Sequence, residues 1–388
     1  MMFSSLFRAS GTARCFSKAA FKSRNSSNFV VLGIETSFDD TGCAIVNSNG
    51  DILGEALRSQ QAFHSLLGGC LPPIARDLHV ECIESVIDEA FASAKLSLSD
   101  IDAVATSVKP GLAISLQVGL DHGKRLSKQG QKPFIPIHHM EAHALTARMI
   151  QKIIALFLGR RIAVSGCIDF WMSLFDCCCS FSRQIFLLGT AMDAAPGETM
   201  DKLARRMQLR NRPELRNISG GRAIELLAEK GDPTKFEFSM PLQGDQNMTG
   251  FLNAIQLYLN LICFVFSLDL DVDEIIPEID DLCASLQAAI CKHLCTRLQR
   301  AMEYANRHNI LPSGKTLVLS GGVACNGAVK KCVGMLCDEM EYRLVVPPPH
   351  LCTDNGVMIA WNGVERFQVG AGVIHNPEEI DAVAVESK

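Results

Sequence analysis

His139 and His143 stand four residues apart in Ile137-His138-His139-Met140-Glu141-Ala142-His143-Ala144, so on an α-helix both imidazoles project from one face about one turn apart. Neutral imidazole is the commonest metal ligand, and two on one face form half of a site. The other half must come from elsewhere, and the best candidate is Asp354 in Leu351-Cys352-Thr353-Asp354-Asn355-Gly356. Two His and one carboxylate leave coordination positions open for a substrate and suit Zn, Fe or Mn alike. On spacing alone, the pair reads as readily as two exposed histidines on a helix. A zinc peptidase requires His-Glu-x-x-His, with the glutamate beside the first ligand. Here Glu141 stands two after His139 and points off the face that carries both histidines.

These side chains need a scaffold. Phe29 to Ile34 is a short apolar run rich in β-branched residues and predicts a buried strand. It leads into the polar run Glu35-Thr36-Ser37-Phe38-Asp39-Asp40-Thr41-Gly42. Cys43 to Val46 resumes a strand, Asn49-Gly50-Asp51 supplies a hairpin turn, and Ile52 to Leu57 forms a third strand. His64 to His79 carries Gly68-Gly69 and Pro72-Pro73 and reads as a loop leading into a helix from about Ile74 to Ala94. Strands over 101–107 and 133–137 flank a helix that ends near Leu126, and the second strand delivers the chain to the histidine helix. Further helices are predicted over Gly197 to Met207 and Leu282 to His308. Thr316 to Leu319 then feeds Ser320-Gly321-Gly322-Val323-Ala324-Cys325-Asn326, a glycine turn opening a helix and a ready anion or nucleotide site. Pro347-Pro348-Pro349 breaks the chain before Asp354, as expected of a functional loop on a rigid scaffold.

The 388 residues leave room for two domains and a sizeable core. With 48% hydrophobic and 20% charged residues, the chain reads as soluble and globular, and its apolar runs are too short for a membrane span. Sixteen irregularly spaced cysteines, no CxxC pair and no visible secretory signal argue against a disulfide framework or zinc ribbon. The first 28 residues contain Arg8, Arg14, Lys18, Lys22 and Arg24, many serines and no acidic residue. That is the composition of a mitochondrial transit peptide, which places the mature protein in the matrix. Removing its five cations lowers the 37 basic residues to 32, against 42 acidic ones. Any nucleic-acid footprint must therefore be local or supplied by a partner. Arg205, Arg206, Arg210, Arg212 and Arg216 are the densest basic cluster, and they read equally well as a solvated helix face.

Four runs together carry a resemblance: Glu35 to Gly42, His138 to His143, Ser320 to Asn326 and Cys352 to Gly356. They resemble the signature runs of the tRNA threonylcarbamoyladenosine transferase family, once known as O-sialoglycoprotein endopeptidases. Gly197 to Arg206 and Ser219 to Glu225 are most similar to its mitochondrial branch. The likeness covers about residues 29–150, 187–257 and 280–375 in the family's order.

This resemblance implies an α/β, actin-like/sugar-kinase-like duplicated two-lobe fold with the ligand cleft between the lobes. On that plan residues 29–137 form the N-terminal lobe, 138–375 the C-terminal lobe with the metal and nucleotide site, and 376–388 a tail. It implies transfer of threonylcarbamoyl from threonylcarbamoyl-AMP to N6 of the adenosine adjacent to the anticodon, in tRNAs reading codons that begin with A. One divalent metal ion per subunit would sit on His139, His143 and Asp354, in a homodimer. The AMP end would lie on Asp201, Gly221, Glu225 and Asn326, with Cys325 and Thr353 nearby and Asp39 or Asp40 acting near the phosphate. Where the family has Ser-Gly-Gly-His-Thr, only Ser165 and Gly166 fit. Residues 151–186 and 258–276 are atypical, and Phe38 and Lys109 replace the family's usual Cys and Gly. An impaired family member and an actin-like ATP-binding protein are the rival readings, with a zinc peptidase more remote.

Overall fold

The computed structural model describes residues 28–67, 70–158, 167–168, 175–179, 184–189, 196–216, 218–238, 278–308 and 315–384. The leader through residue 27, Ser165, Gly166 and the stretch 258–276 lie outside the described residues.

The chain opens with a meander of β1 (Val30–Glu35), β2 (Asp40–Asn47) and β3 (Ile52–Ser59), paired antiparallel. β4 (Ala103–Lys109) then pairs parallel with β1, and β5 (Phe134–His138) pairs parallel with β4. This gives the order β3-β2-β1-β4-β5. The second sheet combines β6 (Cys167–Ile168), β7 (Phe175–Cys179), β8 (Gln184–Gly189), β9 (Thr316–Leu319) and β10 (Arg343–Val345). Its order is β10-β9-β6-β7-β8, with β6–β7 and β7–β8 antiparallel and β6–β9 and β9–β10 parallel. Both sheets therefore run third, second, first, fourth, fifth, with the same directions. That repetition is the duplicated actin-like, sugar-kinase-like plan. The atypical stretch 151–186 contributes β6, β7 and the start of β8 to it.

The helices are α1 (Gln61–Leu67), α2 (Pro72–Ala94), α3 (Ala113–Gly130), α4 (His139–Leu158), α5 (Pro196–Arg206) and α6 (Gly220–Ala228), followed by α7 (Ile279–Arg307), α8 (Gly327–Glu339) and α9 (Gly356–Val369). The loop expected from His64 to about Ile74 is instead helical over Gln61–Leu67 and again from Pro72. Prolines fit the first helical turn, where their missing N–H has no partner to lose.

The first sheet is covered on both faces, which is why β1 reads as an unbroken apolar run. On one side Leu32, Ile34, Cys43 and Ile45 pack with Ile83, Val86 and Ile87 of α2. On the other, Val31, Ala44 and Val46 pack with Leu145 of α4 and with Met358, Ile359 and Trp361 of α9. This layer draws helices from both sides of residue 138. α9 lies directly on strand backbone: a Cβ added at Gly33 would sit 2.2 Å from the Ala360 nitrogen, and one at Gly356 would sit 2.4 Å from the Cys43 carbonyl carbon. Glycine alone permits that approach. A second core joins α5, α6, α7 and α8 under β9.

Candidate metal centre and ligand cavity

α4 begins where β5 ends, with no intervening loop, so the sheet delivers His139 in the first helical position and His143 one turn later. Asp354 arrives from the other end of the chain. It lies between the single helical turn Pro349–Cys352 and Asn355, whose side chain caps α9 by accepting from the Met358 N–H at 2.9 Å. Because Gly356 presses α9 onto β2, the residue two before it is held against the first sheet's end.

The three side chains converge. Asp354 Oδ1 lies 3.4 Å from His139 Nε2 and 3.1 Å from His143 Nε2. One donor atom from each falls within 4.8 Å of the others, and all three residues are buried. The outer nitrogens are also held. His139 Nδ1 lies 3.1 Å from Glu35 Oε2 and 3.1 Å from Ser37 Oγ, and His143 Nδ1 lies 3.4 Å from Ser320 Oγ. An Nδ1–H donated to Glu35 leaves Nε2 as the lone-pair nitrogen that faces Asp354 and His143. Burial alone would raise the Asp354 carboxyl, but His139 and His143 hold it below the ordinary carboxylate value. Two imidazole nitrogens and one carboxylate oxygen in this arrangement fit a divalent transition metal.

Asp354 also lines a cavity of about 520 Å³ whose walls come from both sheets' loops and from α1, α5 and α6. Asp39, Asp40, Asp201, Gly221, Glu225, Cys325, Asn326 and Thr353 line it as well. Nine residues singled out from the sequence, Asp354 included, thus share one wall system, with His139 and His143 buried behind it.

The loop between β1 and β2 is braced by His79, whose Nε2–H donates to the Phe38 carbonyl at 3.0 Å while Nδ1 accepts from Thr41 Oγ1 at 2.7 Å. Burial keeps that imidazole neutral, as this donor–acceptor pattern requires. Asp39 ends this loop and Asp40 opens β2. Burial, then Asp40 and Asp354, push the Asp39 carboxyl well up. Burial, then Asp354, push Asp40 up to about 7, and its buried Oδ1 has no hydrogen-bond partner among the described residues.

Across the cavity, Asp201 Oδ1 accepts from the Gly221 N–H at 3.1 Å. Glu225 accepts from the Gly327 N–H and from Arg222 Nη1, each at 2.6 Å. Asn326 Oδ1 caps α8 through the Val329 N–H at 3.0 Å, and its amide donates to Gln287 at 3.1 Å. The close approach in this turn falls on Gly220 rather than Gly221, since a Cβ at Gly220 would lie 2.7 Å from the Asp201 Cα.

The sequence reading gave no role to Glu35, Ser37, Ser320 or Arg210. The first three lie inside quoted runs, but their histidine partners stand 102 to 177 residues away. Arg210 lines the cavity beside Asp201 and carried no local signal beyond its place in a basic cluster. Glu141 is ion-paired to Arg366 of α9, away from the histidine pair, so the base a zinc peptidase would need is committed elsewhere.

The sequence pattern of the tRNA N6-adenosine threonylcarbamoyltransferase family matches residues 51–361. The chain is 42% identical over 354 residues to the Mus musculus protein named tRNA N6-adenosine threonylcarbamoyltransferase, mitochondrial, covering 90% of this chain and 84% of that one. It is 41% identical to the Homo sapiens protein of the same name, with the same coverage. Among solved structures, T. kodakarensis HypF superposes with a TM-score of 0.50 at 12% identity, covering 88% of this chain and 48% of that one, a likeness of fold alone.

Proposed function

This chain belongs to the tRNA N6-adenosine threonylcarbamoyltransferase family, and from that premise we propose how its cavity performs the transfer. It is a mitochondrial transferase of tRNA modification. The fuller reading is a matrix enzyme, a homodimer with one divalent metal ion per subunit. It takes threonylcarbamoyl from threonylcarbamoyl-AMP to N6 of the adenosine adjacent to the anticodon, in tRNAs reading codons that begin with A. The observation that carries this reading is the convergence of His139, His143 and Asp354 on the cavity that Asp201, Glu225 and Asn326 also line.

The transfer forms a C–N bond between N6 and the carbamoyl carbon and breaks the C–O bond to the phosphate, with AMP leaving. N6 is a weak nucleophile because its lone pair is delocalised into the purine, so positioning and proton removal matter. A divalent ion held by His139, His143 and Asp354 would supply Lewis-acid polarisation of the carbamoyl carbonyl. Asp40, a carboxylate on the cavity wall, receives the N6 proton. Asp39 beside it faces the phosphate. Asp201 accepts ribose hydroxyls. Glu225, Asn326 and the Gly221 backbone shape the AMP side, and Cys325 and Thr353 complete the wall. Ser165 and Gly166 are assigned to the carbamoyl end by family likeness.

The test is transfer by the purified protein, with threonylcarbamoyl-AMP generated in situ, a tRNA reading an A-starting codon, and nucleoside mass spectrometry. Wild type should form N6-threonylcarbamoyladenosine, and the His139→Ala, His143→Ala double variant should not. Product from both would remove the metal site from the mechanism. Product from neither, with folded metal-bound wild type, would leave this chain an impaired family member.

A further inference from the structure

Two cysteines on separate turns meet at the cavity's edge. Cys325 ends the turn Gly322–Cys325 just before the α8 cap, half-buried and lining the cavity. Cys352 ends the turn Pro349–Cys352, is 1% exposed, and lies two residues before Asp354. The two turns pack together and are tied by the Gly321 N–H, which donates to the Cys352 carbonyl at 3.0 Å. The sulfurs are in hydrogen-bond contact, which draws the Cys325 thiol down to about 7, while Cys352 Sγ also reaches the Pro347 carbonyl at 3.0 Å. An accessible thiol poised beside a buried partner is the arrangement of a peroxide- or disulfide-sensitive pair.

We propose that Cys325 and Cys352 are a reversible thiol–disulfide modification site on the rim of the ligand cavity. With hydrogen peroxide, the Cys325 thiolate attacks one peroxide oxygen, giving the sulfenic acid and hydroxide. Cys352 sulfur then attacks the sulfenic sulfur, forms the S–S bond and expels the second oxygen as water. In total two thiols are oxidised and one peroxide is reduced to two waters. The disulfide welds the Gly322–Cys325 turn to the turn before Asp354 and removes a thiol from the cavity wall.

A second close pair provides the contrast. Cys291 on α7 and Cys332 on α8 also interact, but burial and then Cys332 push the Cys291 thiol far up, so it holds little thiolate to start the reaction.

Trypsin isolates each partner with one cysteine, in 316–330 and 344–366. The full protein is treated with limited peroxide, its remaining thiols are alkylated, and the digest is read by mass spectrometry with and without dithiothreitol. The expected result is a joined 316–330/344–366 species lighter by two hydrogens, released by dithiothreitol, lost in Cys352→Ser, and formed before any Cys291–Cys332 link. Recovery of Cys325 as the free thiol, or oxidised without 344–366 attached, overturns the proposal. This readout needs no transfer activity, so it stands or falls apart from the proposed reaction. Oxidised wild type should further lose transfer several-fold and regain it with dithiothreitol.

Discussion

Glu35 is the most informative residue to perturb, because it touches the metal centre only through His139. Its Oε2 lies 3.1 Å from Nδ1, its other oxygen accepts from the Ser37 N–H, and it is fully buried. An outer-shell carboxylate of this kind typically accounts for about 10–100-fold in metal affinity. Glu35→Gln keeps the volume and an acceptor oxygen but loses the charge, so it belongs at the low end, about tenfold or 1.4 kcal/mol. Glu35→Ala removes the carboxylate, keeps Ser37 Oγ at 3.1 Å from Nδ1 and opens a void, and belongs near a hundredfold. The assay is competition for Zn(II) against a chromophoric chelator, with near-UV circular dichroism to show that each variant is folded. Metal-induced stabilisation at fixed free metal should fall in parallel, by about 1.4 kcal/mol per tenfold. If both variants held metal as tightly as wild type while His139→Ala lost it, the orienting role of Glu35 would be refuted. If wild type itself failed to compete, the metal centre would go with it.

Three further outcomes follow from the same geometry. Asp40 has a folded pKa near 7, above its unfolded value, so it binds a proton on folding, and the metal-free protein loses stability as pH rises from about 4 through 7. Asp40→Asn should narrow the gap between urea midpoints measured at about pH 5 and about pH 8, and an unchanged gap would contradict the burial argument. Glu141→Gln should leave transfer within about twofold while lowering stability by roughly 1 kcal/mol through the lost Arg366 pair, whereas a collapse in rate would revive the peptidase-like role. Gly33→Ala places a methyl 2.2 Å from the α9 backbone and should cost at least about 1–3 kcal/mol in thermal or denaturant unfolding, and a neutral result would mean that α9 can lift off the sheet.

Much of the centre was legible because its signals are local. The spacing of His139 and His143 is a property of one helix turn, and the glycine turn ending in Asn326 announces a helix start within a few residues. The β1–β2–β3 meander followed from apolar runs and the Asn49-Gly50-Asp51 turn, where Gly50 adopts φ 89°. What stayed hidden is tertiary. Glu35 reading His139 across the sheet, Ser320 reading His143, and Glu225 accepting from the Gly327 N–H are meetings between distant segments that no spacing rule encodes. The start of α2 was misplaced by two residues because a proline pair reads as a breaker in sequence yet sits comfortably in a first turn. Periodicity could not pair Asp354 with the histidines, and the family likeness supported that choice.

The return of α9 to the first sheet also sets an order in time. Val31, Ala44, Val46, Ala103 and Ala105 are made early, yet the surface that covers them includes Val357, Met358, Ala360 and Trp361, made near the end. Whether the polypeptide emerges from a ribosome or a translocation pore, N-terminus first, that sheet face has only α4 to cover it until residue 369 is free. The metal centre is last to close for the same reason, since Asp354 travels with α9. A nascent molecule therefore holds two histidines and a partly open apolar face together through most of its emergence, the interval in which it most needs a chaperone and can least retain its ion.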